Sequence, residues 1–501
     1  MQATEMAPGT QDDPNLCKAT RAFLGEGGFG HLTDGEIVGS ISGETFPVYD
    51  PATGREFTRC AAAGPEEVDR VVRSARDAFD DGRWRNLEPL EKERRLRRLS
   101  ALIHENRDLL MDLDVIDGGL VRAYSEFIVN FGQDAVDYYA GWPSKLHGST
   151  PACPPDVVVQ EIREPVGVVG VITPWNGPSA APAGIVPALA CGNCVILKPA
   201  EQTPLAALVV GRLCLEAGIP PGVVNVLQGA GEIAGAGIVE HPMVDAIGFT
   251  GSGETGRRIM AAAAPRLKRV SMELGGKSPH IVFDDADLEA AAATVAGAVW
   301  GHSGQVCTAG SRVLVQRGVH DELVAEVVAR SRDIRLGSGF KADTQMGPLI
   351  SREQLDRVYR YVAIGKAEGA EVALGGERHG QDGYFHKPTI FTGVDNRMTI
   401  AREEIFGPVM AIIPFDTEAD AVAIANDTEF GLAAGVWTRD FARAHRMTQA
   451  IRAGTVWVNT YQRVYPSVPY GGVKQSGYGR NLGAESLEHY TQTKTVWLKV
   501  R

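Results

Sequence analysis

Between residues 157 and 332 the chain alternates two patterns: short runs of uninterrupted apolar residues, and longer stretches in which apolar residues recur every three or four positions. The first pattern predicts strands over 157–161, 167–172, 194–197, 245–249, 280–283 and 312–316. The second predicts helices over 205–217, 232–239, 256–264, 288–300 and 321–332. Strands that are apolar on both faces and alternate with helices mean βαβ units around parallel sheets covered on both sides. The alternation pauses near residue 275 and resumes after 280, so two α/β blocks are expected. Upstream, helical periodicity predicts elements over 65–79 and 90–113, while residues 1–20, rich in Gln, Thr, Pro, Asp and Asn, read as a flexible tail. At the other end, residues 493–500 alternate apolar and polar like an exposed strand. Such a strand needs an edge to pair with, which a second subunit can supply.

Length and composition narrow the possibilities. A chain of 501 residues is too long for one ordinary core, so two or three domains are expected. With 44% hydrophobic and 22% charged residues the composition is that of a folded, water-soluble protein. The net charge of −12 argues against nucleic acid or an anionic membrane surface as the main partner, since both require a basic face. No stretch approaches the roughly 18 uninterrupted apolar residues of a membrane-spanning helix. The first residues also lack the basic start and apolar run of a secretory signal. Seven scattered cysteines form no disulfide framework and suit a reducing cytoplasm.

Three places carry candidate chemistry. Gly251-Ser252-Gly253-Glu254-Thr255-Gly256 fits G-x-G-x-x-G between a predicted strand and a predicted helix, where glycines let the backbone approach a pyrophosphate. A plain strand-to-helix turn explains the same residues. The acid expected roughly 20 positions downstream is Glu273, but it runs into Leu274-Gly275-Gly276-Lys277, which reads as a functional loop of its own. Lys198-Pro199-Ala200-Glu201 ends an earlier strand and offers Glu201 for a ribose instead. The second place is Cys307, in Gly304-Gln305-Val306-Cys307-Thr308-Ala309-Gly310. It is either an inert buried thiol or a nucleophile approached closely by a ligand, with a nearby helix N-terminus lowering its pKa. The third is Glu273 itself, set between Met272 and Leu274, either an ion-paired glutamate or a desolvated base. Cys191-Gly192-Asn193-Cys194 runs straight into an apolar strand, so it reads as packing, and no metal site is expected.

Taken together, these residues resemble the aldehyde dehydrogenase superfamily from about residue 35 to 500. The resemblance is carried by Ile172-Thr173-Pro174-Trp175-Asn176, Leu197-Lys198-Pro199-Ala200-Glu201, Gly248-Phe249-Thr250-Gly251-Ser252 and Met272-Glu273-Leu274-Gly275-Gly276-Lys277. It continues through Gly304-Gln305-Val306-Cys307, Glu403-Glu404-Ile405-Phe406-Gly407-Pro408 and Pro469-Tyr470-Gly471-Gly472-Val473-Lys474-Gln475-Ser476-Gly477. It implies an α/β fold with two Rossmann-like open-sheet domains plus a small β bridging and oligomerisation element. The NAD-binding domain would take residues 21–143 and 166–275, the catalytic domain 276–476, and the bridging strands 144–165 and 487–501, in a homodimer or homotetramer. The implied catalytic set is Cys307 as nucleophile, Glu273 as base, Asn176 as oxyanion donor, and Lys198. The implied cofactor contacts are Ile172, Thr173, Pro174, Trp175, Lys198, Glu201, Gly231, Gly251, Ser252, Gly256, Leu274, Glu404 and Phe406. A carboxylate at Glu201 favours NAD over NADP.

Three departures from the family pattern stand out. Asn481 takes the place of a glutamate that helps relay protons, and Asp117-Gly118-Gly119-Leu120 replaces a Gly-Lys-Pro. The run Gly177-Pro178-Ser179-Ala180-Ala181-Pro182-Ala183-Gly184, together with Gly301, lacks the bulky side chains that line the substrate tunnel in many relatives. A bulky apolar or aromatic aldehyde is therefore expected, with Arg463 as the counter-indication because it could bind an acidic tail. The alternatives are a coenzyme A-acylating semialdehyde dehydrogenase, against which Glu273 counts, and a non-catalytic structural relative.

Overall fold

The computed structural model describes residues 14–500. Two open, largely parallel sheets dominate it, as the alternation of apolar strands with helices requires. The first sheet has eight strands, in the order Gly477–Tyr478, Arg269–Glu273, Ala246–Thr250, Val168–Ile172, Cys194–Lys198, Val224–Val226, His31–Thr33 and Glu36–Val38. Its central five strands are parallel, and the Val168–Ile172 strand begins them. The chain then steps outward on one side, through Cys194–Lys198 and Val224–Val226, and returns to the other side at Ala246–Thr250. The order therefore reverses beside Val168–Ile172, and ligands of open α/β sheets sit at the carboxyl ends of strands at such a switch.

The second sheet has seven strands, in the order Glu371–Leu374, Thr389–Thr392, Val409–Phe415, Arg312–Gln316, Pro279–Val282, Ala433–Trp437 and Thr455–Val458. The two sheets meet end to end. Arg269–Glu273 finishes at the carboxyl edge of the first, and Pro279–Val282 starts the second after a short crossing. Pro279 pairs with Arg312 and Arg312 with Ala411, so the loops entering three strands of the second sheet open on the same side. One more strand closes the first sheet: Gly477–Tyr478 pairs antiparallel with Arg269–Glu273, matching Met272 to Tyr478 and Glu273 to Gly477. Outside both sheets, Val157–Pro165 and Thr491–Lys499 form an antiparallel pair whose Ile162, Trp497 and Leu498 are exposed. Among the described residues no helix is long and apolar enough to cross a membrane.

Several elements differ from expectation. A helix spans Lys18–Glu26, so the tail does not extend to residue 20; residues 1–13 lie outside the described part. Buried Leu16, Phe23 and Leu24 anchor that helix, and Asp112 accepts bonds from the Cys17 amide and the Thr20 hydroxyl. The helix expected over 90–113 is two, Pro89–Glu105 and Arg107–Ile116, because Asn106 leaves helical geometry at φ −104 and ψ 16. The helix expected from 232 opens as a π turn, Gly231–Gly235. The one expected from 256 begins at Gly253, where the Ser252 side chain caps it by accepting from the Thr255 amide. A long helix, Arg122–Ala140, was absent from the sequence reading. It covers the small-residue run: Gly132 lies against the Ser179 carbonyl, and Ser179 donates from its hydroxyl to buried Asp114 at 2.7 Å.

Candidate active site

The carboxyl edge of the first sheet brings several candidates together. Ile172 and Lys198 are register partners at the ends of adjacent strands, and the Thr173 amide donates to the Lys198 carbonyl at 3.0 Å. Lys198 is buried at 2% exposure, and its ammonium reaches the half-buried Glu201 carboxylate at 3.1 Å. Burial lowers the Lys198 pKa, and Glu201 opposes the shift. On the neighbouring strand the Gly251 amide donates to the Glu273 carbonyl at 3.0 Å.

The glycines here have separate causes. A Cβ on Gly256 would meet Leu274 Cδ2 at 2.7 Å, so glycine lets the capped helix sit against the Leu274 loop. A Cβ on Gly251 would strike the Phe249 ring, so packing explains that glycine. A Cβ on Gly231 would meet nothing within 4 Å, so that backbone faces open space. The Ser252 hydroxyl is engaged within its own turn: besides capping, it donates to Thr255 Oγ1 at 3.0 Å.

Across the gap, three loops of the second sheet face this edge. Glu404 accepts from the Gly276 amide at 2.9 Å, and burial raises its pKa to about 6. Phe406, held at φ 58, meets the Trp175 ring edge-on at 5.3 Å. Asn176 Nδ2 donates to the Gln305 carbonyl at 2.9 Å, which places its amide two residues from Cys307. The Gln305 side chain is pinned in turn, donating to the His302 carbonyl and accepting from the Ile350 amide. The loop that holds the thiol is therefore rigidly braced.

Cys307 is half-buried, with its Sγ 3.5 Å from the Tyr470 hydroxyl. No helix starts beside it; a turn leads into the Arg312–Gln316 strand. The expected pKa lowering by a helix N-terminus is accordingly absent. Burial instead pushes the thiol up to about 11, with Glu273 and Glu404 adding to the rise and Tyr470 opposing it. Glu273 is 4% exposed; no side chain hydrogen-bonds its carboxyl, and only the backbone amides of Gly472 and Asn481 approach it. Burial pushes its pKa up to about 8, against the pull of the Arg480 charge. A carboxyl left this dry stays largely protonated at neutral pH, where it can be recruited as a base by a modest rise in pH.

Aromatic side chains surround the thiol: Tyr124, Tyr461 and Tyr470 all respond to its charge. The buried His302 ring stacks on Tyr124 at 5.5 Å. Beside them a Cβ on Gly301 would meet nothing within 4 Å, and one on Gly177 would meet only Ile128 methyls at 3.6 Å and beyond. Arg463 is exposed, and its carbonyl accepts from Trp457 Nε1. Asn481 and Ala183 border a separate cavity of about 50 Å³ that also touches Thr173, Thr250 and Tyr490. Cys191 and Cys194 are buried, and burial pushes both thiols up to about 12. Sequence reasoning missed Tyr124 and the contact made by Tyr470. Tyr470 lies in the Pro469–Gly477 segment, but nothing in its spacing ties it to Cys307.

Comparison with known proteins fits this geometry. Residues 37–496 match the model of the aldehyde dehydrogenase family. The chain is 45% identical over 469 residues to an aldehyde dehydrogenase of Emericella nidulans, covering 93% of this chain and 94% of the relative. It is 42% identical over 470 residues to the betaine aldehyde dehydrogenase of Bacillus subtilis, covering 93% and 96%. Among solved structures, an NAD+ complex of aldehyde dehydrogenase from Bacillus cereus is 42% identical, with a TM-score of 0.95 over 99% of this chain and 100% of the other.

Proposed function

The chain belongs to the aldehyde dehydrogenase family, and on that premise we propose that it oxidises a bulky aldehyde to its carboxylate through covalent intermediates on Cys307, with NAD as acceptor. One observation carries the reading: a half-buried thiol lies within reach of the charge of a buried carboxyl, beside a pre-fixed amide. The residues of the first sheet's edge suit a dinucleotide. Gly231 leaves its backbone open, the capped helix after Ser252 presents a positive end, and the Lys198–Glu201 pair offers both a donor and an acceptor to ribose hydroxyls. Ile172, Thr173, Pro174 and Trp175 would continue that floor, with Leu274, Glu404 and Phe406 enclosing the reactive end. A carboxylate at Glu201 repels a 2′-phosphate, which favours NAD over NADP.

Cys307, once ionised, attacks the aldehyde carbon; the C=O π pair moves to oxygen and a thiohemiacetal forms. The Asn176 amide, which the Gln305 carbonyl anchors, and the Cys307 backbone N–H would hold that oxyanion. Bound NAD supplies the acceptor for the hydride that the thiohemiacetal releases in becoming a thioester. Glu273 then takes a proton from water as the oxygen attacks the thioester carbon, and the thiolate leaves with the bonding pair. Asn481 cannot take up that proton as a carboxylate would, so the proton leaves Glu273 by another route.

The open space at Gly301, together with the aromatic side chains of Tyr124 and Tyr461 near the thiol and of Trp175, supports a large apolar or aromatic substrate. Filling such a space contributes about 25 cal/mol per Å² of apolar surface buried. The test compares kcat/KM for acetaldehyde, hexanal, benzaldehyde, a terpenoid aldehyde and succinic semialdehyde. If the short or acidic aldehydes prove best, the large-substrate reading fails and Arg463 becomes the residue to change. The exposed apolar residues of the 491–499 strand support a homodimer or homotetramer built through that pair, and the buried free thiols suit a cytoplasmic location.

A further inference from the structure

The nucleophile has an electrostatic problem that its own loop, through the Thr308 backbone amide, relieves only in part. Cys307 is half-buried beside two acids, Glu273 and Glu404, and has no helix terminus next to it to stabilise its anion. Among the described residues one side-chain donor reaches the sulfur: the Tyr470 hydroxyl, 3.5 Å from Sγ. We infer that Tyr470 is a catalytic residue of this enzyme, donating its O–H to the Cys307 thiolate and holding the sulfur anion ready for attack.

Placement supports the assignment. Tyr470 is locked to Asn481 by a two-bond antiparallel bridge, each amide donating to the other's carbonyl at 2.7 Å. The next residue, Gly471, packs so closely on Glu273 that a Cβ there would stand 2.7 Å from Oε1. One short segment thus touches the sulfur with its phenol and the base with its backbone. The titratable groups facing this phenol and sulfur are Glu273, Glu404, Tyr124 and Tyr461, none of them cationic. Burial and those neighbours hold the Tyr470 pKa well above that of an ordinary tyrosine, so the phenol keeps its proton and acts as a donor throughout. No proton changes hands: a thiolate has no hydrogen to give, so the bond between the two must run from oxygen to sulfur. Bonds to an ionised partner are the stronger class, so the contact favours the reactive form of the thiol over the resting one.

This inference rests on Cys307 being the nucleophile, and the two ideas fail differently. The experiment measures the rate constant for iodoacetamide alkylation of Cys307 between pH 7 and 10, without cofactor, in wild type, Tyr470→Phe and Tyr470→Leu. Phe keeps the ring and loses only the hydroxyl. Both variants are expected to alkylate about tenfold more slowly at every pH below the thiol pKa, that pKa rising by about one unit. NAD binding, read by fluorescence, establishes that each variant is folded, and either folded variant suffices. A Tyr470→Phe profile that superimposes on wild type overturns the inference, as does a Tyr470→Leu profile that does so. Aldehyde oxidation that survives Cys307→Ala would instead overturn the nucleophile itself.

Discussion

The rate of thioester hydrolysis should climb through pH 8 rather than level off near pH 5. No side chain hydrogen-bonds Glu273, and burial outweighs the backbone amides of Gly472 and Asn481 and pushes its carboxyl up to about 8 from a usual value of 4.5. Only the ionised form can accept a proton from water. With a pKa of about 8, roughly one tenth of the sites carry the base at pH 7, half at pH 8 and nine tenths at pH 9. Where hydrolysis limits turnover, kcat should therefore rise about tenfold between pH 7 and 9. Rapid mixing separates the steps: a fast NADH phase reports acylation, and the slower steady state reports hydrolysis. In Glu273→Gln the fast phase should persist near one equivalent per site, while the steady state falls by about 100-fold or more and loses its rise through pH 8. A wild-type hydrolysis rate already flat above pH 6 would mean that water or a cation reaches the carboxyl and the site is not dry. Equal loss of both phases in Glu273→Gln would mean that the acid acts before the thioester exists. The same proton bears on stability. Because the folded value lies above the unfolded one, this group contributes stability that is fully present below about 4.5 and is lost as pH rises through about 8.

Cys307→Ala should reduce aldehyde oxidation by at least about a thousandfold while leaving the NAD dissociation constant within a few-fold of wild type, as read by fluorescence titration. Glu201→Ser should improve kcat/KM with NADP relative to NAD by about 5- to 150-fold, since it removes a like-charge repulsion worth on the order of 1–3 kcal/mol; a wild type that already prefers NADP would contradict this. Gly256→Ala should place a methyl 2.7 Å from Leu274 Cδ2, pushing that loop and its neighbour Glu273; thermal unfolding should show a loss of about 1–3 kcal/mol together with weaker NAD binding.

Much of the architecture could be read from residues alone, because parallel strands buried on both faces leave uninterrupted apolar runs. The Leu288–Trp300 helix and the Arg312–Gln316 strand have the predicted bounds. The break at Asn106 was hidden because apolar periodicity continues across it; what changes is the backbone, not the pattern. The Arg122–Ala140 helix escaped notice because Gly132 interrupts it and apolar residues lie on more than one face; tertiary packing against Ser179 explains that glycine. The sequence suggested Cys307 and Glu273 as chemistry, but not their surroundings. A thiol pKa depends on what stands around the sulfur, and Tyr470 reaches it across 163 positions of chain. No local spacing encodes that meeting, nor the absence of a helix terminus beside the thiol.

The late strand Gly477–Tyr478 has a consequence for how activity arises during synthesis. Glu273 is paired with Gly477, and the Leu274 amide donates to the Ser476 carbonyl at 2.9 Å, so the base is braced by residues made some two hundred positions after it. Cys307 and the Ile350 amide that pins its loop through Gln305 are made well before then. A nascent or truncated chain ending short of this strand therefore carries the proposed nucleophile, Cys307, without the bracing of Glu273. If such a fragment oxidises an aldehyde with NAD as hydride acceptor, the thioester on Cys307 has no braced Glu273 to hydrolyse it and persists as an acyl adduct. Chains clipped in the 471–477 loop should behave as single-use traps for reactive carbonyls, detectable as a mass increase on the peptide containing Cys307.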